Sequence, residues 1–217
     1  MGMDIYGIKP FKLIADVEQP KQPLNEASDK EWSVFIKARD YYDTNVSPGR
    51  YFRANLWSWR PIEMLCYILN DNFKLKLNMK GWGENSGKGL KSQKKCDLLA
   101  SQIEKIAKEF EEEGISKVYL DVSGIEGTKG MYVKHKGVDG TPLALGSTSF
   151  VTDEEMEGKY KDGIKFIQDQ GLYVRHPYII EDLKDEYVLI EPAHSIYMPH
   201  IREFVRFLRN CGGFEIW

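Results

Sequence analysis

Between Gly81 and Gly89 the sequence reads GWGENSGKG, and Lys91, Lys94 and Lys95 follow at once. Glycines let backbone N–H groups approach a ligand closely, and lysines add positive charge; together they can hold a phosphate or a carboxylate. The spacing is not that of a nucleoside-triphosphatase loop. Five residues separate Gly81 from Gly87, and Gly89 stands where a magnesium-binding hydroxyl is required.

A second concentration of chemistry precedes it in YFRANLWSWRPIEML, residues 51–65. Arg53 and Arg60 can stack on a ring or fork onto an anion. Trp57 and Trp59 are two residues apart, so one helical face cannot carry both. The candidate ligand-binding set is therefore Arg53, Trp57, Trp59, Arg60, Trp82, Asn85, Lys88 and Lys91. The same residues have a plain structural explanation: a glycine turn joining two elements, and tryptophans closing a core over snorkelling arginines.

Other chemistries find little support. His135, His176, His194 and His200 lack the spacing of a zinc site, no cysteine neighbours them, and no metal or cofactor is expected. There is no G-x-S-x-G elbow, and the adjacent His194 and Ser195 would face apart on a strand. Asp121 and Glu191 end apolar runs, where acid and base groups often sit, but solvated strand ends explain them equally well. Cys66, Cys96 and Cys211 lie far apart in apolar patterns and read as reduced core thiols.

The elements that must position these residues follow from periodicity. FKLKLNMK (73–80) alternates apolar and polar, the pattern of a half-buried strand with a cationic face. Leu99, Ile103, Ile106 and Phe110 make the inward stripe of a helix over 92–113, stopped by Gly114. That helix carries Lys91, Lys94 and Lys95 at its start and Glu111, Glu112 and Glu113 at its end, against the helix dipole. Each such placement costs on the order of 0.3–1 kcal/mol, and a bound anion at the N-terminus would offset it. Pro61 suits the first position of a helix over 61–70 with Ile62, Leu65, Cys66 and Leu69 inward. Pro199 starts another, over 199–210, with Ile201, Phe204, Val205 and Leu208 inward and Arg202, Arg206 and Arg209 outward. FEIW then reads as a last strand. KVYLDV (117–122), MYVKHKGV (131–138) and EYVLIEP (186–192) read as strands, and 152–171 as a helix interrupted by Gly158 and Gly163. Residues 10–50 read as an excursion packed on the main body, because prolines break its start and NVSPGR closes it. Within it, Trp32, Phe35, Ile36, Arg39 and Tyr42 form one helical stripe.

The expectation is an α+β fold: one domain over 1–217, with a small, mostly antiparallel sheet packed with several helices. A net charge of -3 argues against a duplex nucleic-acid binder. No window approaches the roughly 18 apolar residues of a membrane span, so a cytoplasmic protein is expected.

The segments GRYFRANLWSWRPI, NSGKGL and VRFLRNCGGFEIW resemble a family of small bacterial and phage proteins carrying YFRxNxWxWRP, NxGxGL and a terminal GGF. The resemblance covers 49–110 and 198–217. It implies a bacterial or infected bacterial cell and no particular activity. In that setting the residues suggest a binder that sequesters a small anionic molecule, a signalling nucleotide first. The alternatives are an inhibitor that contacts a host protein and a hydrolase of a phosphorylated substrate.

Overall fold

The computed structural model describes residues 2–120, 132–138, 147–160, 162, 165, 173–174, 179–183 and 186–217. It is an α+β architecture. Close contacts group the chain into two units, one comprising Met1–Asn55, Leu69–Lys108 and Pro199–Trp217, the other Leu56–Ile68 and Glu109–Met198.

In the first unit, β1 (Gly2–Gly7) is the central strand of an antiparallel sheet between β2 (Tyr51–Asn55) and β10 (Phe214–Ile216). Ile5 faces both Phe52 and Ile216. The expected final strand is thus the partner of the first. Two helices add to the core: α3 (Gln93–Glu112), as far as Lys108 in this unit, and α5 (Met198–Asn210), from Pro199. Their predicted inward residues are all buried. Gly114, at φ 73°, ends α3 as expected. The N–H groups of Gly114 and Ile115 close the helix onto the carbonyls of Glu111 and Phe110. An aromatic cluster fills this unit, with the Phe52 ring 5.1 Å from Phe204 and 5.9 Å from Phe207, and Phe214 edge-on to Phe207 at 5.9 Å.

The predicted strand over 73–80 is not formed. Helix α2 (Leu56–Asn72) ends beside it, and Lys74 and Lys76 follow in the left-handed region at φ 51° and 57°. Two such residues destroy the period-two geometry that the alternation suggested. Leu77 and Met79 are still buried, while Phe73 is exposed. Asn70 holds the segment in place: its Nδ2 donates to the Leu77 carbonyl at 3.2 Å and its Oδ1 accepts from the Leu77 N–H at 2.9 Å. α2 also begins five residues before the expected start, so Pro61 lies inside the helix. Having no N–H, it forfeits the bond to the carbonyl four residues back. Ile62, Leu65, Cys66 and Leu69 are buried as the stripe required, and burial pushes the Cys66 thiol up from its ordinary value. All three cysteines are free and buried.

Helix α1 (Asp29–Tyr41) forms where expected, started by a reciprocal cap between Ser28 and Glu31. Of its stripe, Tyr42, just past the helix, is buried, Trp32, Phe35 and Arg39 are partly covered, and Ile36 is exposed; no residue of α1 itself is buried.

The second unit contains two antiparallel sheets. β3 (Lys117–Leu120) lies between β6 (Tyr173–Val174) and β9 (Ser195–Tyr197). The other has the order β5 (Ser147–Phe150), β4 (Tyr132–Val138), β8 (Glu186–Pro192), β7 (Ile179–Leu183). Tyr132, Val151, Tyr160, Val188 and Ile190 form its core. Of the predicted helix over 152–171, α4 (Asp153–Glu157) is described, ending at Gly158, and most of the remainder lies outside the described residues. The Thr152 cap and the Lys134 ammonium both hold Glu155. Lys134, then the Thr152 backbone, lowers the Glu155 carboxyl from its ordinary value. A depressed carboxyl stabilises above its unfolded pKa and stops doing so as pH falls through the folded value. Protection of the α4 amides, relative to intrinsic exchange at each pH, should therefore fall on acidification below the ordinary carboxylate range, and Glu155→Gln should abolish that pH step.

Candidate ligand site

The glycine loop is accounted for by packing. The Gly87 N–H donates to the Ile216 carbonyl at 2.8 Å, Ile216 N–H to Lys88 at 2.9 Å and Phe214 N–H to Leu90 at 2.6 Å. The loop thereby pairs with β10, and the NSGKGL and GGFEIW segments prove to be two halves of one structure. A Cβ on Gly89 would sit 2.2 Å from the Phe214 carbonyl oxygen, and one on Gly87 2.9 Å from the Trp217 ring. These glycines admit β10.

The predicted ligand residues have different surroundings. Trp82 is fully buried, edge-on to Phe214 at 5.1 Å. Trp59 is fully buried too. Both are core side chains and cannot wall an open pocket. Arg60 pairs with buried Glu63 at 3.0 Å within α2. Lys91 donates to Glu215 at 2.7 Å and to the Gly87 carbonyl at 3.2 Å, so its charge is neutralised internally. Arg53, Asn85 and Lys88 are exposed. Trp57 belongs to α2, and its side chain lies outside the described ones.

An open cleft nevertheless lies against the first two turns of α3. Its volume is about 610 Å³, and its walls include Leu75, Lys76 and Leu77 from the irregular segment, Ser92 just before the helix, and Lys94, Lys95 and Leu98 from it. Leucines give it an apolar wall, and Lys76, Lys94 and Lys95 are exposed cations. Among the described residues none of these three lysines has an ion-pair partner. Asp97 also lines the cleft, but its carboxylate already accepts from Gln93 at 2.8 Å and pairs with Arg209 at 3.5 Å. The first backbone N–H groups of any helix lack intrahelical acceptors, so dipole, free donors and lysines act together here. The left-handed Lys74 and Lys76 add backbone strain of on the order of 1–3 kcal/mol each, of a kind that clusters at binding sites. Gln93 fixes the helix end: Nε2 donates to the Leu208 carbonyl at 2.8 Å, and Oε1 accepts from the Gly212 N–H at 2.7 Å.

In the second unit the sheet aligns a group that periodicity did not reveal. His135 Nε2 lies 3.1 Å from Glu191 Oε1 and its Nδ1 3.2 Å from Thr148 Oγ1. Lys117 approaches the same Glu191 oxygen at 3.6 Å. Thr148 faces His135 across β4 and β5, while Glu191 comes from β8. A sequence reader could find the group only by guessing these pairings. It orients an imidazole, as a general base requires. Asp121 and His176 lie outside the described residues. Among the described residues no helix is long and apolar enough to cross a membrane, and no cluster of metal-ligating side chains occurs.

No family model matches the chain, and neither a curated protein nor a solved structure matches it.

Proposed function

We propose that the protein binds a small anionic ligand, a nucleotide first, in the cleft at the start of α3. The observation that carries this reading is the convergence of three unpaired lysines with an apolar wall about a 610 Å³ recess. The volume is that of a small-molecule site. Phosphates would sit against Lys94, Lys95 and the helix N-terminus, with Lys76 opposite, and the less polar part of the ligand against Leu75, Leu77 and Leu98. The chemistry is that argued from the sequence, while the residues are one helical turn further on. Sequestration of a nucleotide signal is the role such binding would serve, and the family resemblance suggests its setting, a bacterial or infected bacterial cell.

Binding is measured by calorimetry against mono-, di- and cyclic nucleotides. Exchanging both lysines, Lys94→Glu and Lys95→Glu, should weaken it at least about tenfold, the scale of one lost charge-assisted hydrogen bond. Affinity of the unaltered protein should fall as salt rises. The exchange should leave the fold intact or slightly more stable, because acidic residues suit a helix N-terminus. A folded protein that binds no member of the panel would overturn the reading.

One observation favours the alternative of an inhibitor acting by protein contact. Phe11, Leu13, Ile14, Leu24, Val34 and Ile36 are all exposed within residues 10–50. That reading requires a purified host partner whose complex is lost on Val34→Asp with Ile36→Asp, at unchanged nucleotide affinity. A complex indifferent to both changes would count against it.

A further inference from the structure

The sequence places Trp32, Phe35 and Arg39 on one helical stripe, and the structure leaves them partly covered around a recess of about 330 Å³. The recess belongs to the first unit. Its walls are four rings: Tyr6 and Tyr51, 5.2 Å apart from β1 and β2, and Trp32 and Phe35, 5.9 Å apart from α1. Gln19, Pro20 and Gln22 bring the irregular segment before α1 to its rim.

The polar groups have distinct states. Arg50 is committed, forking onto Asp43 at 2.6 and 2.7 Å. The Tyr51 hydroxyl donates to the Asp4 carboxylate. Burial and that bond raise the phenol from its ordinary value, so the ring stays neutral. Among the described residues Arg39 pairs with its neighbour Asp40 alone, at 3.1 Å, and its guanidinium lies 5.9 Å over the Phe35 ring. Among the described residues the Gln19 and Gln22 amides have no hydrogen-bond partner.

We infer that this recess binds a nucleobase. A planar ring stacks on the tyrosine and tryptophan faces, the two amides meet its polar edge with matching donors and acceptors, and Arg39 takes an attached phosphate. Aromatic walls alone would suit an organic cation as well, but the Arg39 guanidinium in the lining disfavours one. The site is separate from the cleft at α3 and depends on the base, where the cleft depends on the anion. The base can come from a free nucleotide or from a single strand.

Calorimetry distinguishes the cases. The titrants are nucleosides, their 5′-monophosphates, ribose 5-phosphate and a short single-stranded oligonucleotide. The proteins are the Lys94→Glu, Lys95→Glu pair, in which the α3 cleft is weakened, and Trp32→Ala, Trp32→Phe and Arg39→Ala, each made in that background. Nucleosides and monophosphates should bind and ribose 5-phosphate should not. Trp32→Ala should weaken binding about tenfold, and Trp32→Phe should restore most of it. Because α1 buries no residue, neither variant should unfold. Arg39→Ala should weaken the monophosphates several-fold and spare the nucleosides. Because all of these proteins lack the cleft lysines, failure at the α3 cleft leaves the titrations unchanged, and the two failures are separable. Tighter binding of the oligonucleotide than of its monophosphate identifies a strand as the source, and the reverse identifies a free nucleotide. Absence of saturable binding, equal binding of ribose 5-phosphate, or indifference to Trp32→Ala would overturn the inference.

Discussion

Gly89→Ala should destabilise the protein by about 2–4 kcal/mol, although the change adds one methyl group. The new Cβ would lie 2.2 Å from the Phe214 oxygen and 2.9 Å from the Phe214 carbonyl carbon, far inside van der Waals contact. Neither neighbour can yield easily. The Phe214 N–H is held by Leu90 and the Ile216 N–H by Lys88, and β10 is paired along its other edge with β1. Relief requires the loop to leave the strand, exposing polar backbone groups and disturbing buried Phe214. For a chain of this length the loss corresponds to a fall in melting temperature of roughly 5–15 °C. Lys88→Ala is the control. The exposed Lys88 contributes its backbone to the pairing, so its truncation should move stability by less than about 0.5 kcal/mol. A larger effect from Lys88→Ala than from Gly89→Ala would mean that the loop is organised by its lysine.

Trp82→Ala carries the other large effect, about 3–5 kcal/mol, the usual cost of deleting a buried aromatic side chain. Trp82 is fully enclosed and meets Phe214 edge-on, and Phe214 in turn meets Phe207. The resulting cavity would open in the aromatic centre of the first unit. Trp82→Phe, keeping part of the contact, should recover a large share of the loss. Denaturant unfolding of the three proteins measures this directly. A midpoint unmoved by Trp82→Ala, with only ligand affinity altered, would restore Trp82 to the binding surface that its sequence neighbourhood suggested.

The amino-acid sequence by itself determined the elements whose evidence is local. The four-residue stripes of α3 and α5, the stop at Gly114 and the terminal strand after Gly212 and Gly213 all form as read, because a 3.6-residue period or a left-handed glycine is written in adjacent residues. The cationic start of α3 was legible for the same reason. Only the tertiary structure decided which cations remain available. Lys91 meets Glu215, a residue 124 positions away, whereas Lys94 and Lys95 face an open cleft. Alternation in 73–80 could not separate a strand from an irregular segment that buries Leu77 and Met79 by reversing at Lys74 and Lys76. Composition around Trp82 could not separate a ligand wall from a core, since an indole buries against Phe214 as readily as it stacks on a base. The loop glycines carried the same ambiguity until β10 was placed against them, and the alignment of His135 with Glu191 exists only through the pairing of β4 and β8. The dividing line is physical: periodicity and capping act within a few residues, whereas burial, charge neutralisation and side-chain juxtaposition depend on segments that the chain brings together from a distance.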